Sequence, residues 1–264
     1  MIRIQEPGGW TLVTHRDHAR LAGRFATHWN NHDFAAPEPR GEVLTAVARH
    51  DDAWEVRDCA PCLTDRGLPS AFSRELAGTY SAFEEMDFED YLAVRGRAAE
   101  TVASDNPYAA ILISMHTVNL LTERTDISAL TRAQSDLLRG FIENQERRQR
   151  ELGAQVDTDP EKLRRGFEFL QACDSLSLMV CARQTKTAHL RHSHPRRDGS
   201  TVRFECAPLG GDAYRLTPFP FDKDVLTTEV PARRVAGDAF PDQEAFRSAF
   251  AAAPIEPLMV KIVR

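Results

Sequence analysis

The segment LTAVARHDDAWEV, residues 44–56, ends an apolar, helix-like run with one histidine and two aspartates. Carboxylates are costly to bury unless they are paired or bind a metal ion. His50, Asp51 and Asp52 therefore raise the question of what compensates their charge. Imidazole and carboxylate groups together are typical ligands of a divalent transition metal. The segment thus predicts one part of a metal centre.

Three further polar residues interrupt apolar patterns elsewhere in the chain. His18 lies on the apolar face of a helix that begins at about Thr14, and His116 interrupts the apolar segment YAAILISMHTVNLL. Asp174 lies among apolar residues of a helix predicted over about 159–183. Taken singly, each is also typical of a hydrogen-bonded core histidine or of an acid paired with arginine. Together with the histidine–aspartate pair, they indicate four helices that share one ion.

Asp52 and His116 are the candidates for direct catalysis. Asp52 could orient or deprotonate an attacking water molecule, or it could be a solvated acid at the end of a helix. His116 could contact phosphate, support or bind a second ion, or donate to a backbone carbonyl in the core. His15 lies three residues before His18, on the same predicted helix face, and could line the same pocket.

Two other motifs have less direct interpretations. Cys59-Ala-Pro-Cys62 is a single CxxC without a second pair to complete a zinc site, and the five cysteines do not suggest a disulfide framework. A polar segment, predicted as a loop, is either solvated or able to capture an anion, because arginine matches phosphate geometry. Its histidines and arginines are His189, His192, His194, Arg191, Arg196 and Arg197.

The composition is typical of a globular protein long enough for one large domain. The 264 residues carry a net charge of -6, and the mean hydropathy is -0.41. No apolar run approaches the roughly 20 residues of a membrane span. We therefore expect no membrane insertion, no strong attraction to nucleic acid and a cytoplasmic location, since the start MIRIQEPGGW lacks a signal peptide's apolar segment. The sequence does not determine the oligomeric state, and a homodimer is one of the possible states. The absence of GxSxG, GxGxxG and Walker-type sequences disfavours covalent-nucleophile and nucleotide-fold chemistry.

The elements that must position these residues are predicted to be mainly α-helical. Alternation around Pro7-Gly8-Gly9 predicts a hairpin, and short strand-like pieces follow after about residue 185. We predict one domain over residues 1–264, in which the final strand pairs with the N-terminal hairpin. Its parts are a helical core, residues 14–183, and a small β appendage, residues 1–13 and 185–264.

The order DHARLAG, AVARHDD, MHTVNLL, ACDSLSL resembles the HD-domain superfamily of metal-dependent phosphohydrolases over roughly residues 14–183. That superfamily has a histidine, a contiguous histidine–aspartate pair and a later aspartate on successive helices. HARLAG, HDDAW and the late PFPF also resemble a bacterial HD-like family of unknown function. The resemblance implies an HD-like helical bundle. The implied metal ligands are His18, His50, Asp51 and Asp174.

The resemblance and the polar cluster together predict a metal-dependent hydrolase that acts on a phosphoester of a small molecule or nucleotide. The ion, which could be Mn, Fe, Mg, Zn or Ni, would lower the pKa of bound water. One alternative is an HD-type di-iron oxygenase, although only His116 lies between the pair and the last aspartate. Another is a non-catalytic metal-binding or ligand-sensing module, in which the protein fills every coordination position.

Overall fold

The computed structural model describes residues 1–73, 87–123 and 130–264. The helices in these residues are α1 (His15–His28), α2 (Arg40–Arg49), α3 (Glu55–Cys59), α4 (Phe88–Ala98), α5 (Pro107–Glu123), α6 (Arg132–Gly153), α7 (Pro160–Cys181) and α8 (Gln243–Ala252). The strands are β1 (Ile2–Glu6), β2 (Gly9–Val13), β3 (Phe72–Ser73), β4 (Ala188–Pro195), β5 (Thr201–Gly210), β6 (Ala213–Thr217), β7 (Val225–Ala236) and β8 (Ile255–Val263).

The strands form one mixed sheet with the order β3-β1-β2-β7-β8-β6-β5-β4. Seven strands have five residues or more, and β3 has two. Neighbouring strands are antiparallel, except for the parallel pairs β1–β3 and β6–β8. Strand β2 pairs with β7, so the N-terminal hairpin lies beside the C-terminal strands. The predicted mainly α fold, an HD-like bundle with a small β appendage, is therefore wrong.

The strand-like pieces noted in the sequence are parts of longer strands. Strand β7 buries Leu226, Val230 and Ala232 and exposes most of the residues between them. This period of two is expected for a strand with one face on the core and the other in solvent. The final strand, β8, pairs with β7 and β6. The prediction that it pairs with the N-terminal hairpin is therefore wrong, because β7 lies between them.

The helices that carry the polar residues pack on one another and on the sheet. Helix α1 begins after Thr14, whose side chain accepts a hydrogen bond from the backbone of Asp17, and it contacts α2, α7 and β7. Helix α5 is apolar on most sides and contacts α2, α6 and α7. The main hydrophobic cluster contains residues from these helices and from the strands. The sheet is thus one wall of the core that holds the polar cluster.

Several elements differ locally from the sequence predictions. Helix α2 ends at Arg49, so His50 and Asp51 follow its last turn. The segment predicted as a His- and Arg-rich loop is mostly strand β4. Helices α3 and α8 were not predicted. Aromatic and acidic residues around 80–91 also predict a helix, and this segment falls partly outside the described residues. No helix in the described residues is long and apolar enough to cross a membrane.

Candidate metal centre

Five polar side chains meet between α1, α5, α7 and the end of α2. His18 comes from α1, His50 and Asp51 follow α2, His116 comes from α5 and Asp174 from α7. None of these residues is more than 7% exposed. The structure therefore brings together the four residues predicted as metal ligands, with His116 beside them.

The hydrogen bonds of His18 fix the roles of its two ring nitrogens, of which Nδ1 also lies 3.9 Å from Oδ1 of Asp174. Ser177 donates its hydroxyl proton to the backbone oxygen of Asp174 at 2.8 Å. The Ser177 oxygen, 2.9 Å from Nδ1 of His18, must therefore accept the Nδ1 proton. Nε2 of a neutral His18 then presents a lone pair to Oδ2 of Asp51, 3.0 Å away. Two acceptors at this distance need a cation, either a proton or a metal ion.

His50 is held in the same manner. Its Nδ1 donates to the backbone oxygen of Val47 at 2.8 Å, which directs Nε2 into the cluster. Nε2 lies 3.2 Å from Oδ1 of Asp174 and 3.7 Å from Oδ2 of Asp51. Among the described residues neither contact meets strict hydrogen-bond geometry, so this buried nitrogen is satisfied only if it carries a proton that pairs with these carboxylates or binds a metal ion. An unprotonated nitrogen left unpaired there would cost about 1–3 kcal/mol, and either a proton or a metal ion would remove that cost.

The electrostatics keep both carboxylates ionised. Burial alone would raise the pKa of Asp51, but the Arg95 guanidinium, which donates to Oδ1 at 2.7 Å, holds that pKa well below its usual range. Burial likewise opposes ionisation of Asp174, but the neighbouring His50 lowers the pKa of that carboxyl. Burial lowers the pKa of His50, whereas Asp51 and Asp174 outweigh this and raise it to about 9. In the ion-free protein, a proton thus takes the place of a metal cation.

The donor spacing fits one ion. His18, His50 and Asp174 each offer a ligand atom, and these atoms all lie within 4.8 Å of one another. Asp51 is not one of these three, but its Oδ2 lies 3.0 Å from Nε2 of His18 and 3.7 Å from Nε2 of His50 and is the nearest candidate for a fourth donor. Bonds of about 2.0–2.2 Å to nitrogen and oxygen place neighbouring ligand atoms roughly 3–3.6 Å apart, so small side-chain shifts complete the site. Mixed imidazole and carboxylate donors suit a divalent transition metal.

His116 borders the cluster on the second oxygen of Asp174. Its Nε2 lies 3.8 Å from Oδ2, and its buried Nδ1 has no hydrogen-bond partner in the described part of the chain. Burial lowers the pKa of His116 to about 3. The ring is therefore neutral near pH 7, where it can accept a hydrogen bond or bind a cation through a lone pair.

Asp52 and His15 have other contacts. The Asp52 carboxylate accepts from Nη2 of Arg20 at 2.9 Å and from Nε of Arg49 at 2.7 Å. The described residues show no hydrogen bond or ion pair between Asp52 and the cluster, so its predicted role as a base stays a prediction. His15 contacts Asp58 at 3.1 Å and stacks on Trp54 at 4.3 Å between ring centroids.

Sequence analysis did not identify Arg95 and Ser177. Arg95 lies on α4, where its guanidinium covers the rings of Trp54 and Tyr91 at 5.2 and 5.4 Å. In the sequence, Arg95 could have been noticed as the single arginine on the otherwise apolar face of α4. Ser177 follows Asp174 by three residues and therefore shares its helix face. That spacing marks it as a possible partner of the cluster.

The remaining motifs are occupied by contacts within the protein. Arg191 pairs with Glu123, and Arg197 donates to the backbone oxygen of Asn31 at 2.9 Å. His194 is buried against aromatic rings, and burial lowers its pKa to about 4. These contacts explain much of the basic segment without a bound anion. All five cysteines are free, including the CxxC pair.

Fold and site together define an α/β protein with one large mixed sheet and a buried histidine–aspartate cluster. Residues 1–237 match the family model described as Protein of unknown function (DUF3891), and the chain belongs to this family. The inferred membership of the HD-domain superfamily is corrected, because the matching family is a different one and an eight-stranded sheet replaces the helical bundle. The di-iron alternative depended on that resemblance. No curated protein and no solved structure matches the chain.

Proposed function

We propose that this protein is a metal-dependent hydrolase that acts on a phosphoester of a small molecule or nucleotide. His18, His50, Asp51 and Asp174 would hold the ion. The observation that carries this proposal is the buried Nε2 of His50, which faces two carboxylates and makes no well-aligned hydrogen bond within the described part of the chain. A divalent ion bound there would activate water at neutral pH and neutralise charge on phosphoryl oxygens.

The surrounding residues orient the ligands before any ion binds. Ser177 and the Val47 carbonyl hold the Nδ1 protons of the two histidines, so both Nε2 atoms point inward. Arg95 binds Oδ1 of Asp51 and leaves Oδ2 for the ion. Such outer partners fix the tautomer and orientation of metal ligands, and their loss typically weakens metal binding by about 10- to 100-fold.

The charge and exposure of the cluster favour an anionic substrate that approaches from Asp174. Two carboxylates, one guanidinium and a divalent ion leave the centre net positive, which attracts phosphate groups. The Asp174 side chain is 10% exposed, whereas that of His18 is 1% exposed. Neutral His116, whose side chain is 3% exposed, borders Oδ2 of Asp174, where its Nε2 could accept a hydrogen bond from a water molecule or from the substrate.

A metal-stabilised, non-catalytic module is the second candidate function. The four donors could fill a tetrahedral shell, as in structural zinc sites, and their deep burial favours this arrangement. The two candidates differ in coordination. A catalytic centre keeps a position for water or phosphate, and a structural centre does not.

The experiment starts with elemental analysis of protein purified without chelator, followed by replacement of the ion with Co²⁺. We expect one bound ion, a visible spectrum that changes when inorganic phosphate is added, and hydrolysis of at least one compound in a phosphoester panel. His32→Ala is the matched control, because that side chain is 76% exposed. Protein without an ion would overturn both functions. A bound ion with a phosphate-insensitive spectrum and no hydrolysis would leave the structural role.

A further inference from the structure

A second polar layer lies one helical turn from the metal ligands. Asn119 follows His116 by three residues on α5, and Gln171 precedes Asp174 by three on α7, so each pair shares a helix face. The Gln171 amide nitrogen donates to Oδ1 of Asn119 at 2.5 Å. Its amide oxygen accepts from Nε2 of His192 on β4. The layer therefore joins both helices to the sheet.

These contacts fix the direction of the Asn119 amide. Its oxygen accepts a hydrogen bond from the Gln171 amide nitrogen, and the Gln171 amide oxygen accepts a hydrogen bond from His192. The two N–H groups on Nδ2 of Asn119 therefore point away from Gln171. Among the described residues, none accepts a hydrogen bond from this nitrogen. Asn119 thus offers pre-oriented donors one turn from His116.

Two members of the layer are nearer to solvent than the metal ligands. Asn119 and His192 are half-buried, whereas Gln171 is 4% exposed and Ser177, one turn beyond Asp174 in the opposite direction along α7, is fully buried. On this face of α5, Asn119 therefore lies closer to solvent than His116 does. The nearest cation on β4, Arg191, is paired with Glu123. The layer accordingly offers neutral hydrogen-bonding groups instead of net charge.

We propose that Asn119, positioned by Gln171 and His192, is a subsite for hydroxyl groups on the leaving group of the substrate, as in a polyol or sugar phosphate. This inference rests on the proposed function and narrows its substrate class. Side chains three residues apart on a helix have Cβ atoms about 5–6 Å apart. A phosphoryl group beside Asp174 and His116 would place the nearby hydroxyls of a small polyol within reach of Asn119.

The test compares two phosphonates whose carbon–phosphorus bond cannot be hydrolysed as a phosphoester is. Butylphosphonate has no hydroxyl, and dihydroxybutylphosphonate carries two. Titration calorimetry on the metal-loaded protein would give the ratio of their dissociation constants. Because one hydrogen bond is worth about 0.5–1.5 kcal/mol, we expect the wild-type protein to bind the diol about 2- to 10-fold more tightly.

Asn119→Ala and Asn119→Asp should both reduce this ratio to about 1 while the metal content stays unchanged. The aspartate variant preserves the acceptor for Gln171 and removes only the outward donors. Its added negative charge affects the binding of both phosphonates, so this effect cancels in the ratio of their dissociation constants. Gln149→Ala is the control, because that amide donates to Ser114 on another face of α5. It should keep the wild-type ratio.

An unchanged ratio in both Asn119 variants would overturn the subsite while leaving the proposed function in place. Loss of the metal in Asn119→Asp would also overturn it, since Asn119 would then act on the metal centre itself. If the metal-loaded wild-type protein bound neither phosphonate, the phosphoester function would fail, and the subsite with it.

Discussion

Asp51 and Asp52 are adjacent in the chain, but their carboxylates are compensated in different ways. Asp52 accepts hydrogen bonds from Arg20 and Arg49, whose side chains are each 35% exposed. Asp51 is buried between Arg95 and the inward nitrogens of two histidines. The charge of Asp52 is compensated by arginines of the protein itself. Around Asp51, carboxylate oxygens and imidazole nitrogens face one another, and they need a shared cation, either a proton or a metal ion.

This difference shows why an acidic pair cannot be assigned by residue type alone. Asp51 and Asp52 lie in the turn that follows α2, where successive side chains project in different directions, so one carboxylate faces the core while the next reaches two partly exposed arginines. The partners then decide the role. Guanidinium groups neutralise a carboxylate with protons of their own, whereas imidazole lone pairs and carboxylates need an ion that they share.

Removing a ligand from the buried cluster should have the largest effect. His50→Ala deletes the nitrogen that two carboxylates face, and we expect metal affinity to fall by more than about 100-fold, since even outer partners of ligands contribute about 10- to 100-fold. Competition with a coloured chelator would measure this loss. His32→Ala should bind metal as the wild-type protein does. Full metal occupancy in His50→Ala would contradict the assignment of the site.

Exchanging the two acids one at a time tests the comparison directly. Asp51→Asn should lose most metal binding, because a neutral amide replaces a charged donor between two imidazoles. Asp52→Asn should retain the metal, because its contacts are with Arg20 and Arg49. Elemental analysis of both variants would decide. The reverse result would move the ligand role from Asp51 to Asp52.

The same pair of variants tests the general-base role predicted for Asp52 from the sequence. A base that orients or deprotonates water typically contributes about 10² to 10⁴ in rate. If Asp52 has this role, the metal-loaded Asp52→Asn protein should lose rate by that factor on the best substrate. A wild-type rate would restrict Asp52 to its two arginine contacts.

Metal binding near pH 7 should release about one proton, because the pKa of His50 is raised to about 9 and its ring must lose that proton to bind an ion. In the ion-free protein, the protonated ring adds stability that is complete below pH 6.5 and is lost as the pH rises through about 9. Metal affinity should therefore increase with pH up to about 9. Calorimetry in two buffers of different ionisation enthalpy would count the protons. Uptake of protons would contradict the assignment.

The smallest effect should come from the arginines around Asp52. Arg20→Gln removes one partner of a partly exposed ion pair, and such pairs contribute about 0.2–1 kcal/mol. We expect a slightly lower midpoint of urea unfolding with unchanged metal content. A loss of metal in this variant would show that the two acid clusters are coupled.

Local patterns identified most helices and all the residues of the central cluster. Apolar patterns predicted the helices observed as α1, α5 and α7, and the residue singled out on each of them, His18, His116 or Asp174, lies in the cluster. The strands were underestimated, because a strand in a mixed sheet shows only a short alternation, and its partners are distant in sequence. Strand β2 pairs with β7 across more than 200 residues, which no local pattern records.

The sequence by itself determined which residue types interrupt the apolar faces, because burying an imidazole or a carboxylate needs a compensating partner wherever the chain folds. Only the tertiary structure decided which partner each one has. Asp51 meets Arg95 and His18, and Asp52 meets Arg20 and Arg49, because α4 and α1 both approach the end of α2, and α1 brings His18 to one carboxylate and Arg20 to the other. Those approaches depend on packing between distant segments, which residue spacing along one helix cannot specify.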